Sequence, residues 1–341
     1  MILAPSKKAF DKLLKKINEG SPVVIPTETV YGLAARIDQI DSIKQIFTLK
    51  QRPFFDPLIV HIYHIDQLKS LTHFESPILH QLIQEFWPGP LTLVLPKTSQ
   101  VNPLITSGLD SVGIRMPNHP LALQFLKEVK IPLAAPSANL FGHTSPTKAL
   151  HVQNEFNSES LLILDGGDCQ VGIESTVMKL EENQLTKQIE ICILRKGVIT
   201  KSMIERSLKE FSGIFKFIEG TDKRNSPGHM KHHYMPQTPL IFLSQRLDFK
   251  EMIQDVEKDF NKIPDEIDGV KIRKPKGSIK NWTEIIFNQD PVLACRELYS
   301  TLKEASEKND DILIFQKKDY METEAWEGFL ERLNKAASLH Y

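Results

Sequence analysis

GSPVVIPTETVYGLAA, residues 20–35, joins three kinds of sequence within sixteen positions. PVVIP at 22–26 is apolar almost without interruption, which predicts a short buried strand. The segment before it, 6–20, places Phe10, Leu13, Leu14 and Ile17 on one helical face, and Gly20 stands where a helix C-cap belongs. After it comes PTETVYGLAA, with two threonines, a carboxylate and a tyrosine. Hydroxyls at the end of a strand suit a polar small molecule. On the residues alone, the plainer reading is preferred: a capped turn followed by a core-facing Tyr31.

Outward from this stretch, strands and helices alternate. Asp41 is expected to cap a helix carrying Ile43, Ile46, Phe47 and Leu49. LIVHI (58–62) is a strand, 77–87 is a helix stopped by Pro88-Gly89-Pro90, and LTLVL (91–95) is a strand. VGIR (112–115), a helix at 119–129 and PLAA (132–135) follow. LLILD (161–165), STVMKL (175–180) and ICILR (191–195) complete a strand-rich region, closed by a helix at 200–211. The irregular alternation predicts an α/β fold with a mixed sheet over residues 1–217. Residues 218–239 change character: prolines, glycines, histidines and basic residues replace apolar periodicity, which reads as an ordered linker. Residues 240–341 resume with LIFL (240–243), a helix at 248–260, GVKIRK (269–274), a helix at 291–307, DILIF (311–315) and a helix at 323–338. That order predicts a second, smaller α/β domain with a parallel sheet.

Composition narrows the function. A length of 341 residues suits about two domains. Lys plus Arg (42) balance Asp plus Glu (43), so bulk electrostatic attraction to nucleic acid is not expected, although a local basic groove is compatible. Cys169, Cys192 and Cys295 form no C-x-x-C pair, which argues against a disulfide framework or zinc knuckle and for a reducing, cytoplasmic location. Neither a signal peptide nor a run of roughly 20 apolar residues is visible, so no membrane association is expected.

Several motifs carry candidate chemistry. In KQRPFFDPLIVH (50–61), Lys50 and Arg52 end a helix and Pro53 stops it. The pair either complements the helix dipole or forms an anion clamp suited to phosphates. APSANLFGHTSPT (135–147) follows a strand with Ser137, Asn139, Thr144 and Ser145 as donors, as ligand loops in α/β folds do. GIEST (172–176) and LRKG (194–197) add Ser175 and Arg195. SPGHMKHHYMP (226–236) holds His229, His232 and His233, but no cysteine or nearby carboxylate completes a ligand set, so no metal site is expected. Neither a P-loop nor a dinucleotide fingerprint is present.

Taken together and in order, PTETVYGLAA, KQRPFFDPLIVH, FWPGPLTLVL, GLDSVGIRMPNHPLA, PLAAPSANLFGHTSPT, DGG (165–167), GIESTV, LRKG and SPG…HYMP resemble the YrdC/Sua family of threonylcarbamoyl-AMP synthases. The match spans residues 20–240, and the extra domain makes the chain similar to the longer, two-domain branch. The resemblance implies a YrdC-like twisted mixed-sheet domain with a concave groove and a Rossmann-like C-terminal domain. It implies condensation of L-threonine, bicarbonate and ATP into threonylcarbamoyl-AMP and pyrophosphate, with Mg²⁺ held mainly through the ATP phosphates. A separate transferase would then modify the adenosine beside the tRNA anticodon, and a weak tRNA contact is left open.

Matched residue by residue, the resemblance assigns threonine to Thr29, His61, Arg115, Ala135 and Ser175. It assigns ATP to Arg52, Asp56, Ser111, Ser137, Asn139, Ser145, Arg195 and Tyr234. Lys50, Arg52 and Arg195 are the expected catalytic cations, and Lys50 and Asn139 complete a K-x-R…S-x-N signature. His233 and Tyr234 are expected to act from a linker that closes as a lid. Two positions depart from the family: Asp56 stands where relatives often carry Asn, and His229 where Met is usual. Two other readings compete. An RNA-binding protein of this fold is disfavoured by the neutral charge and the lack of an aromatic RNA motif. A carbamoyl-transfer maturation factor is disfavoured by the absence of zinc-finger cysteine spacing.

Overall fold

The computed structural model describes residues 1–156, 158, 160–219, 232–245, 249–260, 262–275, 277–308 and 310–341. Of the expected linker, only 218–219 and 232–239 are described; His229 and the SPG turn lie outside the described residues. The chain forms two compact units: Met1–Leu140 with Pro146–His229, and Phe141–Ser145 with Met230–Tyr341.

The first unit is built on eleven strands: β1 (Ile2–Leu3), β2 (Val23–Ile25), β3 (Gly32–Arg36), β4 (Ile59–His61), β5 (Leu91–Pro96), β6 (Ser111–Arg115), β7 (Leu133–Ala134), β8 (Ile163–Leu164), β9 (Thr176–Glu182), β10 (Ile189–Arg195) and β11 (Phe215–Phe217). Their order across the sheet is β1-β8-β2-β3-β7-β4-β6-β5-β9-β10-β11. Directions are mixed: β4 runs parallel to β6 and antiparallel to β7, and β5 runs parallel to β9 and antiparallel to β6. Each face carries its own core. Val23 and Ile25 pack with Phe10, Leu13, Ile17, Phe125 and Leu126. Val24 packs on the other side with Tyr31, Leu33, Ile46, Phe47 and Val60. Period-two alternation under two covers is why PVVIP is apolar throughout.

The expected helices form. Lys7–Asn18 is capped by the Ser6 side chain, which accepts from the Ala9 amide, and Gly20 follows in the left-handed region. Helix Ile40–Lys50 corrects one expectation: Gln39, not Asp41, occupies the N-cap. Asp41 lies inside the first turn, where its charge still opposes the helix's positive end. Strand β3 was not expected as a strand. Its small residues, GLAAR, carry no β-branched signal, and pairing with β2 and β7 on either side makes the strand.

In the second unit, β12 (Leu240–Leu243), β15 (Trp282–Glu284), β16 (Ile312–Gln316) and β17 (Leu339–His340) form a parallel sheet in the order β15-β16-β12-β17. Helix Phe249–Phe260 contributes Phe249, Val256 and Phe260 to its core. GVKIRK does not join this sheet. β13 (Glu266–Ile267) and β14 (Val270–Lys271) pair only with each other, joined by Asp268 and Gly269, both at positive φ. Two left-handed residues in a two-residue loop suit a tight hairpin, which turns the strand back before it can add to a sheet.

Gly197, just after β10, shows how tightly the first unit closes. A Cβ there would stand 2.5 Å from the Thr176 amide nitrogen and 2.7 Å from its hydroxyl. Both atoms are engaged, the amide with the Pro90 carbonyl and the hydroxyl with the Ile199 carbonyl. Gly197→Ala should therefore cost about 1–3 kcal/mol of overpacking strain. Denaturant unfolding that shows no shift of midpoint would contradict this.

Candidate functional site

Arg115 ends β6 directly beside His61, the last residue of β4, its register partner. Its side chain is 5 % exposed. A buried guanidinium requires acceptors, and three are in place. Nε donates to the Gly89 carbonyl (3.1 Å), Nη1 donates to Thr29 Oγ1 (2.8 Å), and Nη2 pairs with Glu28 Oε1 (2.6 Å). Thr29 is itself fixed by Thr27, whose hydroxyl lies 2.9 Å from it and receives the Thr29 amide. The Glu28 contact is an ion pair without hydrogen-bond alignment, so of the five guanidinium N–H groups only that on Nε and one on Nη1 are hydrogen-bonded. His61 is fully enclosed, and burial, reinforced by the Arg115 cation, lowers its pKa to about 3. The neutral ring sets Nδ1 3.3 Å from the Ile59 carbonyl. Since that carbonyl only accepts, Nδ1 carries the proton and Nε2 is left as an acceptor.

A second cation, Arg195, ends β10. Its Nε donates to the Ser175 carbonyl (3.0 Å) and Nη2 to Ser175 Oγ (3.1 Å), which also meets Thr92 Oγ1 at 2.7 Å. Lys50 is buried at the end of its helix, and Nζ donates to the carbonyls of Ser137 (2.5 Å) and Asn139 (2.6 Å). Burial first, then the Arg52 charge, lowers its pKa well below the ordinary lysine value, while Asp56, Glu155 and Glu174 act the other way. Lys50 thus ties down the S-A-N turn, which explains the K-x-R…S-x-N pairing as one structural device. Arg52 turns inward: Nε donates to the Asp56 carbonyl, Nη2 donates to the Pro57 carbonyl, and Nη2 pairs with Asp56 Oδ2 at 2.9 Å.

The first unit therefore brings together Thr29, His61 and Arg115 as one cluster. Ser175 with Arg195, and Lys50 with Ser137 and Asn139, form two others. Ala135 is buried next to them, its amide bonded to the Ile59 carbonyl. Ser111 opens β6, at the opposite end of that strand from Arg115. Ser145, His233 and Tyr234 belong to the second unit. There Tyr234 has φ 65° and is buried, its ring 5.7 Å from Tyr299, with the Arg332 guanidinium 5.6 Å from its centroid. The His233 ring meets Phe141 edge-on at 5.6 Å. Thr27 and Glu28 are visible in the sequence only as members of PTETVYGLAA, and neither Gly89 nor Thr92 carries a site signal. Glu28 was the one detectable in principle, since a carboxylate at the end of a buried strand needs a cation. Among the described residues, no group of three or more His, Cys, Asp or Glu is placed to hold a metal ion.

Comparison with known proteins gives a consistent picture. The Sua5/YciO/YrdC family model, described as telomere recombination, matches residues 15–197. A second, described as threonylcarbamoyl-AMP synthase, C-terminal domain, matches residues 199–338. A threonylcarbamoyl-AMP synthase of Bacillus subtilis is 35% identical, covering 94% of this chain and 90% of its own. One of Pyrococcus abyssi is 36% identical, covering 87% and 85%. The crystal structure of P. abyssi Sua5 complexed with L-threonine has a TM-score of 0.81 at 29% identity and covers 100% of this chain and 99% of its own.

The burial of His61 has a consequence for acid stability. The unfolded chain takes up a proton near pH 6.5 that the folded chain refuses until about pH 3. The contribution is complete above pH 6.5 and is lost as the pH falls toward 3. His61→Gln should therefore lose less unfolding free energy than the wild type between pH 6.5 and 4. Identical losses in that window would contradict a neutral, enclosed His61.

Proposed function

The chain belongs to the Sua5/YrdC family, in its two-domain form, and from that membership we infer that it is a threonylcarbamoyl-AMP synthase. It condenses L-threonine, bicarbonate and ATP to threonylcarbamoyl-AMP with release of pyrophosphate. The observation that carries the reading is the Arg115 cluster: a buried guanidinium with N–H groups beyond those bonded to Gly89 and Thr29, framed by a hydroxyl and a neutral imidazole. That set matches the carboxylate, hydroxyl and amine of threonine.

The threonine carboxylate is assigned to Arg115, where a forked, charge-assisted pair can form. Thr29, His61 and Ser175 take its hydroxyl and amine, and Ala135 lines the site. Threonine's free amine and bicarbonate give a carbamate and water. A carbamate oxygen then attacks the α-phosphorus, and the bond to pyrophosphate breaks. Both partners are anions, so the work is positioning and charge stabilisation rather than nucleophilic catalysis by the protein. Arg52 and Arg195 are assigned to the ATP phosphates, with Lys50 holding the S-A-N turn in place. The motif matches support Ser111, Ser137, Asn139, Ser145 and Tyr234 as further nucleotide contacts, and His233 with Tyr234 as parts of a closing segment. Glu28 and Asp56 are already matched by arginines. That suits Mg²⁺ arriving on the ATP phosphates, and bound there it would draw charge from the departing pyrophosphate. The product is a mixed anhydride fit for a separate enzyme that transfers its acyl group to tRNA. No helix among the described residues is long and apolar enough to cross a membrane, and the cysteine usage supports a cytoplasmic setting.

Incubation with ATP, Mg²⁺, bicarbonate and threonine should yield threonylcarbamoyl-AMP by mass spectrometry, with pyrophosphate release requiring all three substrates. Release without threonine would contradict the reading. Arg115→Ala should raise the threonine KM at least tenfold, since a charged hydrogen bond contributes about 1.5–3 kcal/mol. Valine should be rejected strongly, because it leaves the site's polar groups unpaired. Serine should remain a weaker substrate, lacking one methyl contact of roughly 1–3 kcal/mol. Equal turnover of valine and threonine would contradict the assignment of Thr29 and His61.

A further inference from the structure

Arg52 is assigned above to the ATP phosphates, yet its side chain is 4 % exposed and turned onto its own loop. It meets the carbonyls of Asp56 and Pro57 and the carboxylate of Asp56, which is fully buried. The loop leaves the helix at Gln51, in the left-handed region, and closes on itself through the Asp56 amide to the Pro53 carbonyl. Phe54 and Phe55 lie on its outer side, 60% and 55% exposed. The Phe54 ring packs on buried Phe47 at 4.9 Å, and the arginine–aspartate pair lies on the loop's inner side.

Resting on the synthase reading, we propose that Asp56 is an internal stand-in for phosphate on Arg52 and sets ATP affinity by competing for that guanidinium. A carboxylate and a phosphate oxygen make the same kind of charge-assisted bond to arginine, so one can replace the other. Without nucleotide, Asp56 supplies a buried counter-charge to Arg52. When the triphosphate enters, Arg52 exchanges partners, and that exchange subtracts from the binding free energy. When pyrophosphate leaves, Asp56 retakes the arginine and eases release. An asparagine here would keep the shape but remove the competing charge. Asp56 thus acts through Arg52, as a positioning residue, and leaves the threonine cluster untouched.

The test measures binding of the β,γ-imido analogue of ATP with Mg²⁺ to the full chain, alongside threonine binding, by titration calorimetry. Asp56→Asn and Asp56→Ser should tighten the analogue about tenfold and leave threonine affinity within twofold. Pyrophosphate should become a correspondingly stronger product inhibitor. Unchanged or weaker analogue binding by a folded variant overturns the proposal, since it would make Asp56 a neutral or supporting partner. Should both variants fail to fold, a crystal structure of the wild type with the analogue decides. Arg52 on a phosphate and parted from Asp56 supports exchange, whereas Arg52 still on Asp56 with the nucleotide in place overturns it. A wild type that binds no analogue at all would instead remove the synthase reading.

Discussion

A guanidinium removed from water must be given acceptors, and the first unit is arranged so that Arg115 receives them from two other parts of the chain. The Gly89 carbonyl comes from the turn before β5, Thr29 and Glu28 from the connection between β2 and β3, and the arginine itself from the end of β6. These segments are brought together only because β6 lies between β4 and β5 and because β7 links β4 to β3. The mixed sheet, with its irregular order, is what makes such a meeting available. A purely parallel or purely antiparallel arrangement of the same strands would place those ends elsewhere.

The same constraint explains the chemistry. The site's cations are buried, so none waits as a bare charge: Arg52 has Asp56, Arg115 has Glu28, Arg195 has Ser175 and Lys50 has two carbonyls. Such groups are preorganised and cost little reorganisation during reaction, which suits a reaction between anions. They also resist extra charge, as the depressed pKa values of Lys50 and His61 show. Two buried carboxylates, Glu28 and Asp56, each stand against one of these arginines.

Much of this was legible in the sequence, for identifiable reasons. The strands with β-branched runs and the amphipathic helices were readable from periodicity, because burial on both faces or on one stripe leaves a pattern. β3 and β17 were not, since GLAAR and LH take their form from neighbouring strands rather than from local preference. GVKIRK does hold a strand, β14, but the Asp268-Gly269 turn at the motif's edge folds it onto β13 rather than into the parallel sheet. Site residues were visible only through motif order. The tie between Lys50 and the turn at Ser137–Asn139 spans more than eighty residues, and the matching of Glu28 to Arg115 nearly ninety; no local pattern encodes either. Asp56 stood out by sequence as a departure from relatives, but its partner became evident only in the fold.

The central claim is that the Arg115 cluster holds threonine, and a crystal structure of the protein soaked with L-threonine tests it most directly. The account predicts the amino-acid carboxylate within hydrogen-bonding distance of the Arg115 guanidinium, with Thr29 or His61 meeting its hydroxyl or amine. Threonine bound away from Arg115, or an Arg115 that contacts only Glu28, Thr29 and Gly89 in a threonine-occupied protein, would contradict it.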